Sequence, residues 1–192
     1  MHKKINPKNL LSDTQGAVIV EFSFIVLTMI IFIKGLISIS EYYSTIGKLD
    51  RISYSLAGII RERARLYKNN ELTQLQVNQL KKIADNMLSD SGLSEANLAI
   101  KIETVHFNAT QSSVAEDKVI DNTKSLSFSS GSCEPDKPLK ALTQLSSFSN
   151  VGRWIPLYQV TLCLPADTWY NMLFIQRGNA ISIKSSSMTI ER

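Results

Sequence analysis

From Ala17 to Ile39 nearly every position is apolar or small, and Glu21 and Lys34 carry the only charges. An α-helix needs about 20 such residues to cross a bilayer. The pattern then changes to helical spacing, with Ile46, Leu49, Ile52, Leu56, Ile59 and Ile60 recurring every three or four residues. No proline falls between Ala17 and Lys68. This predicts one helix of about 50 residues, ~75 Å long if continuous. Gly35, Gly47 and Gly58 weaken it by about 1 kcal/mol each relative to alanine, and mark places for bends or close helix contacts. Asn69-Asn70 breaks the run and offers a cap for the next helix. Leu72, Leu75, Leu80, Ile83, Met87 and Leu88 then form a second amphipathic stripe that ends near Gly92.

After Leu98 the period becomes two. Leu98, Ile100 and Ile102 alternate with Ala99, Lys101 and Glu103, as in a half-buried strand. Residues 108–138 are rich in Ser, Asp, Asn and Lys, which predicts a long loop with a weak strand around Ser125 to Phe128. Leu139 to Phe148 reads as a short helix after Pro138. Leu157 to Leu164 reads as a strand that places Leu157, Gln159, Thr161 and Cys163 on one face, with Pro165 ending it. Thr168 to Gln176 is aromatic and apolar, either core packing or a docking surface. Ile181 to Ile190 reads as a last strand with a serine-rich interruption. The expected class is α+β: a long N-terminal transmembrane helix running into a head, where a second helix packs on a small, mainly antiparallel sheet. The expected divisions are a basic leader at 1–16, the membrane half of the helix at 17–39, its second half at 40–68 and the head at 69–192.

Composition narrows the function. The chain has 192 residues, a formal charge of +4 and 44% hydrophobic content. Its only local basic run is Arg61, Arg63, Arg65 and Lys68, with Glu62 inside it. Nucleic-acid binding needs a basic stripe with stacking aromatics, so this run reads as a solvated helix face and no nucleic acid is expected. Glu116, Asp117 and Asp121 lack the spacing of a calcium loop and read as solvated acids. His106 is the only histidine outside the leader, and no nucleotide-binding, hydrolase or zinc motif is present. No enzyme, metal or cofactor is expected. Cys133 and Cys163 are the two cysteines. If the head lies outside the cytoplasm, a disulfide is the natural reading; two buried thiols are the alternative.

The N-terminus decides between three kinds of membrane segment. Lys3, Lys4 and Lys8 flank the apolar run, which keeps the N-terminus cytoplasmic and sends the head across the membrane. A secretory signal cut near Ser38-Ile39-Ser40 conflicts with the length of the run and its two charges. An uncleaved anchor explains the hydrophobicity but not a carboxylate five residues into the segment, since a charge in hydrocarbon costs roughly 2.5–3.5 kcal/mol and less near the edge. Lys34 is nearer the far end and can snorkel. The third reading is cleavage before the apolar run. It would free an α-amino group on Ala17, one helical turn from Glu21, and so give that carboxylate a counter-charge.

Gly16-Ala17-Val18-Ile19-Val20-Glu21-Phe22 resembles a prepilin junction throughout. With QGAVIVEFSFIVLTMIIF, the chain length and the tail ISIKSSSMTIER, the sequence looks most like the minor pseudopilins TadE and TadF of the tight adherence (Tad) type IVb pilus, TadF ahead of TadE. The resemblance implies cleavage between Gly16 and Ala17 by a membrane prepilin peptidase. It implies an assembly carboxylate at Glu21, followed by the aromatic Phe22. It also implies residence in a bacterial inner membrane with a periplasmic head, and a supporting role in building the adhesive Flp pilus. Expected partners are the peptidase, other minor pseudopilins, the major Flp pilin and the inner-membrane assembly platform. Lys34 departs from the usual apolar helix. The rivals are a type II secretion pseudopilin and an uncleaved single-span protein with an extracytoplasmic binding head.

Overall fold

The computed structural model describes residues 14–66, 72–93, 97–165 and 182–191, with the side chains of 14–17 and 63–66 left aside. The chain divides into two compact units, Met1–Tyr43 and Ser44–Arg192. Helix α1 is Thr14–Leu66, 53 residues without a break. Helix α2 is Gln74–Asp90. The strands are β1 (Ala99–Phe107), β2 (Ile120–Asp121), β3 (Ser127–Ser130), β4 (Phe148–Ser149), β5 (Arg153–Trp154), β6 (Leu157–Pro165) and β7 (Ser182–Ile190). The α+β class expected from the sequence is what the chain forms: a long apolar helix, a second helix and a small antiparallel sheet.

The main sheet runs β2-β1-β6-β7, with β3 also on β1, and every pairing is antiparallel. Register places Ile100 beside Leu162 and Leu162 beside Ser185; it also places Ile102 beside Val160 and Val160 beside Ser187. These side chains share one face, because successive residues of a strand point to opposite sides. The second half of α1 covers that face. Leu49, Ile52, Ser53, Leu56, Ala57 and Ile60 are buried, and the Ser53 hydroxyl lies 2.9 Å from that of Ser185 and 2.7 Å from that of Ser187. Helix α2 packs against β1 and β3 through Val77, Leu80, Ala84 and Leu88. The Gln74 side-chain amide adds a 3.0 Å bond to the Ser129 carbonyl.

The other face is covered by the excursion between β3 and β6. Residues Leu157 to Leu164 are all buried, so β6 is enclosed on both sides. Cys133 is disulfide-bonded to Cys163 across this face. Leu139 packs on Val105 and Leu157, and its N–H donates to the Glu103 carboxylate at 3.4 Å. The Gln159 amide donates to the Lys137 carbonyl at 3.4 Å, and Thr161 shares a 2.9 Å bond with Ser186. The Ser186 bond lets polar Thr161 sit inside the head, whereas Gln159 is half satisfied: its amide nitrogen donates, and its side-chain oxygen is buried without a partner.

Several details differ from the sequence expectation. Serines 185–187 do not interrupt the last strand; β7 is continuous, and its serine hydroxyls bond to Ser53 and Thr161. The cap of α2 is Thr73, whose N–H donates to the Gln76 side chain at 3.1 Å; Asn69 and Asn70 lie outside the described residues. On α2 the buried stripe contains Val77 and Ala84, while Leu75 and Ile83 are 69% and 42% exposed. Ile59 on α1 likewise faces out, and Ser53 and Ala57 face in. Small residues there let helix and sheet approach closely. The short helix expected from Leu139 to Phe148 is a 3₁₀ helix that ends at Leu145, and Phe148 instead pairs with Trp154 in a two-stranded ladder. The weak strand falls at Ser127–Ser130. The aromatic stretch from Thr168 to Gln176 lies outside the described residues.

Among the described glycines from Gly35 to Gly152, Gly131 is the most crowded. Its φ is +90°, and a Cβ built there would sit 2.7 Å from the Cβ of Ala99. A left-handed conformation costs an L-residue roughly 1–2 kcal/mol, and the overlap adds to it. Gly131→Ala is therefore expected to lower the stability of the head by about 2 kcal/mol or more. A denaturation midpoint equal to that of the parent chain would contradict this.

Candidate functional site: the apolar helix

Alternation and spacing explain the head as an ordinary packed core. The first half of α1 is different. Among the described residues, one helix is long and apolar enough to cross a membrane, and it is this one. Val18, Ile19, Phe22, Phe24, Leu27, Ile30, Phe32 and Leu36 all present their side chains outward. A band of this width around a whole helix is not a surface for water, and helix is the form that satisfies every backbone group in lipid. Thr28 follows the same logic: its hydroxyl donates to the Phe24 carbonyl at 2.8 Å.

Gly16 and Ala17 lie inside the helix, and Glu21 is exposed on it. One turn separates the Ala17 backbone nitrogen from the Glu21 side chain. Phe22 adjoins Glu21 and is 66% exposed. Lys34 is also exposed. It follows Glu21 by thirteen positions, so at about 100° per residue the two charges point to nearly opposite sides and cannot pair within one chain. Nothing in the helix itself neutralises Glu21 by contact with Lys34.

Among the described residues, no group of three His, Cys, Asp or Glu side chains could hold a metal ion. Asp121 caps its own turn instead, accepting from the Thr123 N–H at 3.0 Å and from its hydroxyl. The Thr123 hydroxyl holds the Asp121 carboxyl below the usual carboxylate range. Glu116 and Asp117 sit on a separate exposed 3₁₀ turn. His106 packs edge-on to Tyr158, with ring centroids 6.0 Å apart. Lys118 looks reactive but is a staple. Its ammonium donates to the Thr143 and Ser146 carbonyls at 2.8 and 2.9 Å and lies 3.9 Å from the centre of the Trp154 ring. Burial lowers its pKa. A cavity of about 500 Å³ lies near the end of the sheet, where Lys81 and Asp85 pair with each other at 2.9 Å. It is bordered by Leu93, Pro165 and Ser182, each next to or near chain outside the described residues.

A helix with an exposed apolar half is what a membrane subunit requires. Comparison with protein families decides which kind. Residues 9–192 match the family model for tight adherence pilin protein F, TadF. The chain belongs to the TadF family. No curated protein and no solved structure matches it. The match begins before Gly16 and so includes the junction, the apolar helix and the head together. The family ties this chain to the Tad pilus and to the membrane assembly that builds it. Pilins of this kind are structural rather than enzymatic. Sequence reading missed the Ser53 contact with Ser185 and Ser187, for which the only local signal was a serine inside an apolar helical stripe.

Proposed function

We propose that this TadF-family chain is a minor pseudopilin, held in the inner membrane with its head in the periplasm. A prepilin peptidase trims it after Gly16, and it then supports assembly of the Tad pilus. The observation that carries the reading is a carboxylate, Glu21, on the exposed apolar part of α1, one turn beyond a Gly-Ala peptide. Trimming there gives Ala17 a charged amino group. That group can neutralise Glu21 in the same subunit or in a neighbour, and a pairing between neighbours fixes how far one helix slides along the next. A buried carboxylate is tolerated when it is so paired. Among the described residues, no group of three His, Cys, Asp or Glu side chains could hold a metal ion. The sheet and disulfide of the head make it a stable platform for contacts with other pilins and with the assembly machinery.

The mature N-terminus tests the processing step. The protein is expressed with and without the prepilin peptidase, purified from membranes and measured by intact mass and N-terminal peptide mapping. The expected result is a chain beginning at Ala17 with the peptidase and at Met1 without it. A chain beginning at Met1 in both would make it an uncleaved anchor. A new N-terminus beyond Ser38 would make the apolar run a secretory signal.

A further inference from the structure

The two edges of the main sheet are finished differently. At one edge β2 and β3 are two and four residues long, and both lie on β1. The Gln74 amide of α2 donates to the Ser129 carbonyl of β3 at 3.0 Å, so this edge is short and capped. At the other edge β7 runs for nine residues, Ser182–Ile190. The Glu191 N–H donates to the Pro156 carbonyl at 3.2 Å, which places residue 191 among those whose main chain faces β6. In an antiparallel pair, successive residues turn their N–H and C=O toward the neighbour and away from it in alternation. Lys184, Ser186, Met188 and Ile190 therefore aim theirs away from the sheet, and all four residues are exposed. Among the described residues, these outward groups receive only the Thr189 hydroxyl, 3.4 Å from the Ile190 carbonyl.

Native sheets blunt a long edge with proline, a bulge, charge or a cover. β7 contains no proline, and its residues pair one for one with Leu157 to Pro165, so it has no bulge. Its single charge, Lys184, leans to Asp136 at 3.4 Å. We propose that β7 takes up an extended segment of a different protein as a further antiparallel strand. A second copy of the chain does not fit. Pairing β7 antiparallel with its own copy needs a two-fold axis normal to the sheet, which reverses every direction in the plane of the sheet, α1 on its face included. Copies anchored in one membrane hold α1 the same way up, so this exclusion rests on the membrane-anchored reading above. Joining β7 to the opposite edge of a copy would keep the helices parallel, but it meets the short strands and the Gln74 cap. The occupant is a foreign strand, and the edge states its chemistry. Main-chain bonds supply affinity and alternate side chains supply specificity. Met188 and Ile190, 39% and 42% exposed, match β-branched apolar residues. Lys184, on the same face, matches a carboxylate four positions beyond the residue opposite Met188. Ser185 and Ser187, on the face toward α1, leave room for small hydroxyl residues.

The test titrates the detergent-purified full-length chain against a labelled, end-blocked octapeptide that alternates valine and threonine and carries glutamate as its seventh residue, read by fluorescence anisotropy. In the antiparallel register that sets its glutamate against Lys184, its third and fifth amides face β7 and its fourth and sixth face away. The expected result is saturable binding that falls about tenfold or more when the third and fifth amides are N-methylated and is kept when the fourth and sixth are, since each lost main-chain bond weakens the complex by a factor of a few. Equal loss from both methylation patterns, or no binding by the unmethylated peptide, would overturn the proposal. Lys184→Glu should weaken the glutamate peptide and favour one with lysine in its place; indifference to the exchange would count against the proposed register. A second measurement oxidises the Ser186→Cys chain in membranes. Little disulfide-linked dimer is expected, and a strong dimer would put a second copy in place of the foreign strand and overturn the assignment. Both measurements read the same whether the chain begins at Met1 or Ala17, so failure of the processing step is seen separately from failure of this one.

Discussion

Glu21→Ala is expected to leave membrane insertion and trimming intact and to abolish support of piliation. The reason is the sign of each effect on a different step. Removing a charge from the apolar segment makes insertion easier, since a carboxylate in hydrocarbon costs roughly 2.5–3.5 kcal/mol at the centre and less near the edge. The proposed cut at Gly16-Ala17 lies four residues away along the helix. Assembly alone loses something, because the Ala17 amine then has no carboxylate to find and the axial setting between helices is no longer charge-locked. Glu21→Gln should behave the same way, since it keeps shape and polarity but not charge. Glu21→Asp should retain part of the function. The measurement is surface pili counted by electron microscopy, alongside the mature mass of the membrane-bound subunit. Normal piliation by the alanine variant, correctly inserted and trimmed, would falsify the pairing.

The same helix shows what a sequence can reveal and what it cannot. Its extent was legible because proline is absent and apolar residues persist; α1 runs Thr14–Leu66. The strand around Ile100 and Ile102 and the strand from Leu157 were legible from alternation and from an apolar run. The orientation of the helices was less so. Counting large apolar residues placed Leu75, Ile83 and Ile59 inward, whereas the packed stripe uses Val77, Ala84, Ser53 and Ala57. A helix crossing a sheet closely selects for small volume, which hydropathy alone does not measure. The serines of β7 misled for a related reason. Serine is a poor strand former by propensity, but Ser185 and Ser187 gain their partners from a residue 132 or 134 positions earlier in the chain. Lys118 gains its carbonyls and its aromatic face from 25 or more positions further on. Bonds of that kind leave no local pattern. The candidate site is a local pattern by contrast, because Gly16, Ala17, Glu21 and Phe22 are neighbours in sequence and one turn of helix is enough to relate them.

Removing the disulfide should have the largest effect on the head. Cys133 and Cys163 are separated by 30 residues, and a loop of that length gives about 3–4 kcal/mol in the chain-entropy model. Position makes the loss matter more than its size. The bond is what fastens the 131–139 segment over β6, the strand enclosed on both faces. Leu139 anchors the end of the segment by packing on Val105 and Leu157, but the polar fasteners are long or solvated: 3.4 Å from Gln159 to the Lys137 carbonyl, 3.4 Å from Leu139 to Glu103, and 3.4 Å from Lys184 to Asp136. Lys101 and Glu134 pair at the surface, where an ion pair contributes about 0–1 kcal/mol. None of these replaces a covalent tie. Cys133→Ser with Cys163→Ala should therefore expose Gln159 and Thr161 to water intermittently, shift the denaturation midpoint of the detergent-purified chain strongly downward, and lower its level in the cell. Hydrogen exchange offers the sharper measurement. Amides of β6 and of Leu139 should lose protection in the double variant, while those of α1 between Leu49 and Ile60 should lose less, because the helix holds the opposite face through its own apolar contacts and the Ser53 hydroxyl. Uniform loss across both faces would show instead that the head unfolds as one unit without its disulfide, and unchanged protection would remove the strap from any role in stability.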